Sequence, residues 1–224
     1  MLDQDTIHIA ENGLPFWNDL TDEQKRIISE SAVIKSYRQG SMIHRSDDEC
    51  RGVLLVISGQ LRAYILSEDG REVTLYRLYK NDICVLSASC ALDAVAFDVF
   101  IEAAEDCNLL IIPLSEFRRI MNENIRVELF TYKESAERFS DVMWTLQQIL
   151  FMSADRRLAH FLWDESVKTG SDTIKLTHDR IARYIGSARE VVSRMLRYFS
   201  DEGIVSLSRG RIDITDKKKL SAYL

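Results

Sequence analysis

The chain has 224 residues, 46% hydrophobic and 29% charged, with a formal net charge of −6, nine glycines and only two prolines. That length holds one long domain or two modest ones with a real core, and so little Gly and Pro excludes collagen-like or extensively disordered sequence. No stretch approaches the roughly 18 uninterrupted apolar residues of a membrane span, and the acidic start MLDQDTIHIAENG lacks the pattern of a secretory signal, so a cytoplasmic protein is expected, with no membrane partner.

Taken in chain order, Thr21 with Gln24 three residues on makes a capping box that starts a helix before Ile27 and Ile28. From Ser41 to Pro113 the period changes to short β-rich runs: Met42 to Arg45, Val53 to Ile57, Leu61 to Leu66, Val73 to Leu78, Val99 to Ala103 and Leu109 to Ile112. Ser58-Gly59 and Asp69-Gly70 read as two-residue hairpin turns. Many short strands with little room for crossover helices predict an antiparallel barrel or sandwich. After Pro113, Ser115 is expected to cap a short helix carrying Phe117, Ile120 and Met121.

A longer helix follows over 125–153. Leu129, Tyr132, Ala136, Phe139, Met143, Leu146 and Leu150 recur at alternating steps of three and four, a seam that predicts a parallel homodimer. The competing expectation is that this stripe packs on the chain's own barrel, Val142 and Ile149 broadening the apolar face.

The charge is split along the chain. From residue 154 onward there are 14 Lys and Arg against 10 Asp and Glu, net +4, while the residues before carry net −10. An acidic body and a basic tail predict two functions. Within the tail a first helix ends at Lys168-Thr169-Gly170, and Thr177 then caps a helix with Ile181 and Ile185 inside, broken by Gly186. Ser187 is expected to cap the next helix, with Glu190 completing its box and Val191, Val192, Met195, Leu196 and Phe199 buried.

A short helix, a glycine turn and a second helix with polar first turns are helix-turn-helix grammar. Glu190, Ser193 and Arg194 can share one exposed face beside Arg189, and their chemistry suits base edges: Arg for guanine O6 and N7, Glu for the cytosine amino group, Ser for bases or phosphate. A hairpin across Ser208-Arg209-Gly210 adds a wing, where Arg209 and Arg211, with Arg180 and Arg183, are placed to meet phosphates.

With these elements in this order the chain resembles the CRP/FNR family of bacterial regulators, most specifically at Ile185-Gly186-Ser187-Ala188-Arg189-Glu190-Val191-Val192-Ser193-Arg194, which is similar to the family's recognition helix. The resemblance implies an α+β protein. An antiparallel β-roll sensor like a cyclic-nucleotide-binding domain would occupy residues 1–124, a dimerisation helix 125–153 and a winged helix-turn-helix 154–224. It implies a transcription regulator that binds double-stranded DNA as a homodimer on a TGA-type inverted repeat and contacts RNA polymerase. Arg189, Glu190 and Arg194 then read the half-site, with Ser193 as the FNR-like member and Thr177, Ser187, Arg180, Arg209 and Arg211 supporting.

The sensor departs from the pattern. Family members that bind cyclic nucleotides carry a Gly-Glu pair for the ribose and, some residues later, an Arg for the phosphate. Here the stretch Asp82-Ile83-Cys84-Val85-Leu86-Ser87-Ala88-Ser89-Cys90-Ala91-Leu92 has neither. No Lys or Arg lies between Lys80 and Arg118, against seven Asp or Glu, so a buried phosphodiester would lack a cation and cyclic AMP is not the expected effector. A neutral or largely apolar molecule, or a redox signal at Cys84 and Cys90, is expected in a pocket built from Cys84, Leu86, Ser87, Ser89, Cys90 and Phe97.

Cys50, Cys84, Cys90 and Cys107 are scattered, which disfavours an iron-sulfur cluster and makes packing their default role. His8, His44, His160 and His178 are dispersed, which disfavours haem, and a lone His such as His178 is expected on the surface or satisfied in a core. No metal site and no cofactor needed for folding are expected. The rival readings are a cupin-like metal enzyme, which would need clustered His that the barrel lacks, and an interaction module that does not bind DNA.

Overall fold

The computed structural model describes residues 4–45, 52–85 and 99–224. It divides into two compact units, Met1–Leu66 with Leu75–Val142, and Ser67–Thr74 with Met143–Leu224.

The first unit opens with α1 (Gln4–Gly13), a 3-10 turn (Trp17–Asp19) and α2 (Asp22–Ser31). The Thr21 capping box is complete: Gln24 N–H donates to Thr21 Oγ1 at 3.2 Å, and Thr21 N–H donates to Gln24 Oε1 at 3.2 Å. Among the described residues eight strands follow, β1 (Val33–Tyr37), β2 (Met42–His44), β3 (Val53–Ser58), β4 (Leu61–Leu66), β5 (Glu72–Leu78), β6 (Ile83–Cys84), β7 (Phe100–Ala103) and β8 (Cys107–Ile112). They form two four-stranded sheets, ordered β1-β8-β3-β6 and β2-β7-β4-β5, in which β1 and β8, β8 and β3, β3 and β6, β2 and β7, and β7 and β4 pair antiparallel.

Alternation along the strands gives two cores. Ile43, Leu54, Val56, Leu61, Ala63, Ile101, Leu109 and Ile111, drawn from both sheets, fill the space between them. The other face of β3 and β8, with Val53, Leu55, Leu110 and Ile112, is covered by Phe16, Trp17 and Ile28 and by Phe117 and Ile120. On the outer face of the second sheet Arg62, 1% exposed, stands opposite Glu102, its Nε 3.1 Å from the Glu102 carboxylate, over the ring of Tyr64.

Two turns depart from expectation. Asp69-Gly70 does join paired strands β4 and β5, but as a wider loop in which Ser67 and Arg71 pair through their backbones. Ser58-Gly59 is not a hairpin: β3 and β4 lie in different sheets, and the glycine turns the corner between them. Its φ is +82°, and a Cβ there would stand 2.2 Å from the Asp106 carbonyl oxygen, so glycine is required for the close approach. α3 (Leu114–Glu123) starts directly after Pro113, and Ser115 lies inside it instead of capping it.

α4 (Ile125–Phe151) is one uninterrupted helix of 27 residues, about 40 Å long at 1.5 Å per residue. Val127 and Thr131 are buried on it, and Glu134, Arg138 and Val142 continue that face. Leu129, Tyr132, Ala136, Phe139, Met143, Leu146 and Leu150 are all exposed. At 3.6 residues per turn the two stripes are about 130° apart around the helix. The chain's own roll thus uses a different stripe from the predicted seam.

In the second unit α5 (Ala154–Thr169) ends on Gly170 at φ +63°, followed by β9 (Thr173–Ile174), α6 (His178–Tyr184), α7 (Arg189–Asp201), β10 (Val205–Ser208), β11 (Arg211–Ile214) and α8 (Lys217–Ser221). The strands form a sheet ordered β10-β11-β9. Its core joins Leu158 and Leu162 of α5, Ile181 and Ala182 of α6, Val192, Leu196 and Phe199 of α7, and Ile212 and Ile214 of the wing.

Candidate nucleic-acid interface

Val192, Leu196 and Phe199 of α7 point into that core, with Met195 packed against it, and this fixes which side chains face out. Val192, Leu196 and Phe199 are buried, whereas Arg189, Glu190 and Arg194 are exposed. Thr177 caps α6, its Oγ1 accepting from Arg180 N–H at 3.2 Å. Gly186 adopts φ +60°, and Ser187 N–H donates back to the Ala182 carbonyl at 2.9 Å, a closure of α6 that needs a left-handed residue at the turn.

That closure displaces the expected cap. The N-cap of α7 is Ala188, with no side-chain cap bond, and Ser187 and Glu190 form no capping box. Ser187 serves the end of the preceding helix through its backbone, and Glu190 is left free of that role in the first turn.

The remaining predicted residues divide by what already holds them. Ser193 is half-buried, 2.9 Å from His178 Nδ1. Arg180 is half-buried and donates to Tyr184 Oη at 3.2 Å. Arg183 lies 2.7 Å from Asp179. Arg211 lies 2.8 Å from Asp213, so its charge is largely offset within the wing, and Arg209 is exposed at the wing tip. His178 was expected on the surface or satisfied in a core; it is half-buried, and what sequence reading did not supply is its partner, the predicted base reader Ser193. Burial first, and the cation of Arg189 second, hold its imidazole below the ordinary value.

In the first unit Cys84 is buried, while Cys50, Leu86, Ser87, Ser89, Cys90 and Phe97 lie outside the described residues. Near Cys84 the structure adds groups from other elements. Tyr76 of β5 is buried; burial pushes its phenol well up, with Cys84, Arg138 and Asp141 nearby. Arg138 of α4 lies over the Tyr76 ring at 5.4 Å and donates to Asp141 at 3.0 Å and Glu134 at 3.5 Å. The absence of a cation between Lys80 and Arg118 therefore does not leave the region without one, because a distant helix supplies Arg138. That cation is already shared between two carboxylates. Burial raises the Glu134 carboxyl, opposed by Arg138. Among the described residues no group of three or more His, Cys, Asp or Glu is arranged to hold a metal ion, and no helix is long and apolar enough to cross a membrane.

A β-roll followed by a long helix and a winged helix-turn-helix defines a regulator architecture with a DNA-binding module. Residues 34–124 match the cyclic nucleotide-binding domain family, and residues 156–223 match the Crp-like helix-turn-helix domain. A crystal structure of a protein from Eubacterium rectale ATCC 33656, assigned to the crp/fnr family of transcriptional regulators, superposes with a TM-score of 0.89 at 48% identity, covering 95% of this chain and 99% of that one. Regulatory protein HlyX of Actinobacillus pleuropneumoniae is 26% identical over 232 residues, 96% of this chain and 93% of its own. The cyclic AMP receptor protein of Thermus thermophilus is 24% identical over 207 residues, 91% and 94% respectively. The chain belongs to the CRP/FNR family of transcriptional regulators.

Proposed function

We propose that the protein works as a cytoplasmic homodimer that reads a TGA-type inverted repeat and contacts RNA polymerase, with no enzymatic activity of its own. Residues 1–124 sense, 125–153 dimerise and 154–224 read DNA. The observation that carries this reading is the exposed face of α7, where Arg189, Glu190 and Arg194 stand clear of a core formed by Val192, Leu196 and Phe199. Arg189 and Arg194 match guanine acceptors and Glu190 the cytosine amino group. Thr177, Ser187, Arg180, Arg209 and Arg211 support the backbone contacts, Arg211 least because of its pair with Asp213. Two copies joined along Leu129, Tyr132, Ala136, Phe139, Met143, Leu146 and Leu150 present two such faces, as two half-sites about one helical turn apart require.

The signal is a small molecule or redox event at the roll, transmitted through the α4 pair to the readers. The groups around Tyr76 and Cys84 favour an uncharged polar or apolar effector over cyclic AMP. A phosphodiester would have to draw Arg138 away from Glu134 and Asp141 and sit beside their carboxylates. Isothermal titration with cyclic AMP is expected to give no binding at micromolar concentration, and micromolar affinity would overturn the effector reading. A gel shift of a TGA-type inverted repeat is expected to be lost in Arg194→Ala, and equal binding by the variant would overturn the base-reading assignment.

A further inference from the structure

His178 is the first residue of α6, immediately after the Thr177 cap, and its Nδ1 lies 2.9 Å from Oγ of Ser193, one helix away on α7. Both side chains are half-buried, while Arg189, Glu190 and Arg194 around them are exposed. From this juxtaposition we infer that His178 is a positioning residue that fixes the direction and hydrogen-bond polarity of the Ser193 hydroxyl, and through it the base that Ser193 prefers. The inference rests on the reading of α7 as the helix that enters the major groove.

A serine hydroxyl carries one hydrogen and two lone pairs and, left alone, rotates to suit any partner. A contact at 2.9 Å to a ring nitrogen removes that freedom. With the proton on Nδ1, His178 donates to Oγ. The serine hydrogen is then free to turn outward, and Ser193 donates to guanine N7 or O6, adenine N7 or thymine O4. With Nδ1 bare, it accepts the serine hydrogen, and the outward oxygen accepts from the amino group of cytosine or adenine. A protonated ring carries hydrogen on both nitrogens, so the form in which the serine hydrogen is tied to Nδ1 is lost and that hydrogen is always available to a base acceptor.

The surroundings bias this choice. Arg189 of α7 is the charged group acting on the ring across the helix pair, and with burial it favours the neutral imidazole. On the ring's own helix Asp179 is engaged by Arg183 at 2.7 Å and Arg180 by Tyr184 at 3.2 Å. Acidification therefore moves Ser193 towards donation, and towards bases that present acceptors. A residue that merely packed between the helices would affect stability and overall affinity, but not base preference or its dependence on pH.

The test uses the full chain in competition fluorescence anisotropy against a TGA-type inverted repeat and duplexes changed symmetrically at each half-site position, from about pH 5 to about pH 8, a range that extends to the acid side because the His178 imidazole is held below its ordinary value. The wild type is expected to prefer one base pair by roughly 3- to 10-fold per half-site at the position facing Ser193, the worth of one hydrogen bond. That preference shifts towards thymine or guanine as pH falls. His178→Ala is expected to bring the preference below about 2-fold and flatten the pH profile, to match Ser193→Ala, and to add nothing to it in the double variant. His178→Gln keeps a donor and an acceptor without titrating, and is expected to retain a preference but lose the pH dependence. Unchanged preference and pH profile in His178→Ala, or additive losses in the double variant, would overturn the proposal. Arg194→Ala separates the two levels. If it discriminates the repeat from a scrambled duplex as well as wild type does, the major-groove reading itself fails and the role of His178 falls with it.

Discussion

Phe139 is the most exposed of the six large seam residues on α4, with 66% of its surface accessible in the single chain. An aromatic side chain buries on the order of 200 Å², so about 130 Å² of each Phe139 is available for a second copy to cover in the proposed dimer. At about 25 cal/mol per Å² that is about 3 kcal/mol per protomer, and in a symmetric dimer the residue counts twice, giving about 6 kcal/mol. Phe139→Glu removes this and brings two like charges together in the seam. The dimer dissociation constant is then expected to rise by about four orders of magnitude, which makes the variant monomeric at micromolar concentration in sedimentation velocity. Because Phe139 is mostly exposed in its own chain, the circular dichroism spectrum and thermal midpoint of the monomer's sensor unit should hardly move. Dimers that persisted in both Phe139→Glu and Leu146→Glu would refute the assignment of this stripe as the interface.

Further perturbations test individual elements. Gly186→Ala places an L-residue at φ +60° and is expected to cost about 1 to 2 kcal/mol in urea denaturation of the reader unit. Glu102→Ala takes a carboxylate from beside the buried Arg62 guanidinium, and a loss of about 3 kcal/mol in the sensor unit is expected, whereas an effect under about 1 kcal/mol would show that the pair matters little. Burial, with Asp106 as a second cause, pushes the Cys107 thiol up to about 11. Alkylation at pH 8 followed by peptide mapping should show Cys107 reacting roughly 100-fold more slowly than an ordinary thiol. The sign for stability follows: the unfolded thiol ionises near 9 and the folded one near 11, so the unfolded state binds fewer protons between these values and Cys107's contribution falls as pH rises through them.

Local chemistry was legible in the sequence wherever one residue and its near neighbours decide the outcome. Thr21 with Gln24 and Thr177 with Arg180 cap as their spacing demands, and Leu61 to Leu66 forms a strand with the expected bounds. Ser58-Gly59 and Asp69-Gly70 look alike in sequence because both need a glycine of positive φ. Which strand pairs with which is a matter of sheet topology, so one proved a corner and the other a hairpin loop. At the reader the turn was clear, but Ser187 N–H was committed to the Ala182 carbonyl, and α7 begins at Arg189, one residue later than a Ser187 cap would start it. The charge count along 80–118 was correct and still missed Arg138, because side chains more than fifty residues apart meet only through the packing of α4. His178 was passed over for the same reason: its partner Ser193 is 15 residues away on another helix.

The central claim is that this chain reads DNA sequence through α7. Its most direct test is the affinity of the full chain for a TGA-type inverted repeat and for a scrambled duplex of the same length and composition, measured by anisotropy at fixed salt, with wild type and Arg194→Ala side by side. Wild type is expected to favour the repeat by at least about 1000-fold, the lower end of specific recognition. Arg194→Ala should lose about 1 to 3 kcal/mol of binding per half-site on the repeat alone. Equal affinity of wild type for both duplexes, or equal loss on both in the variant, would contradict the account.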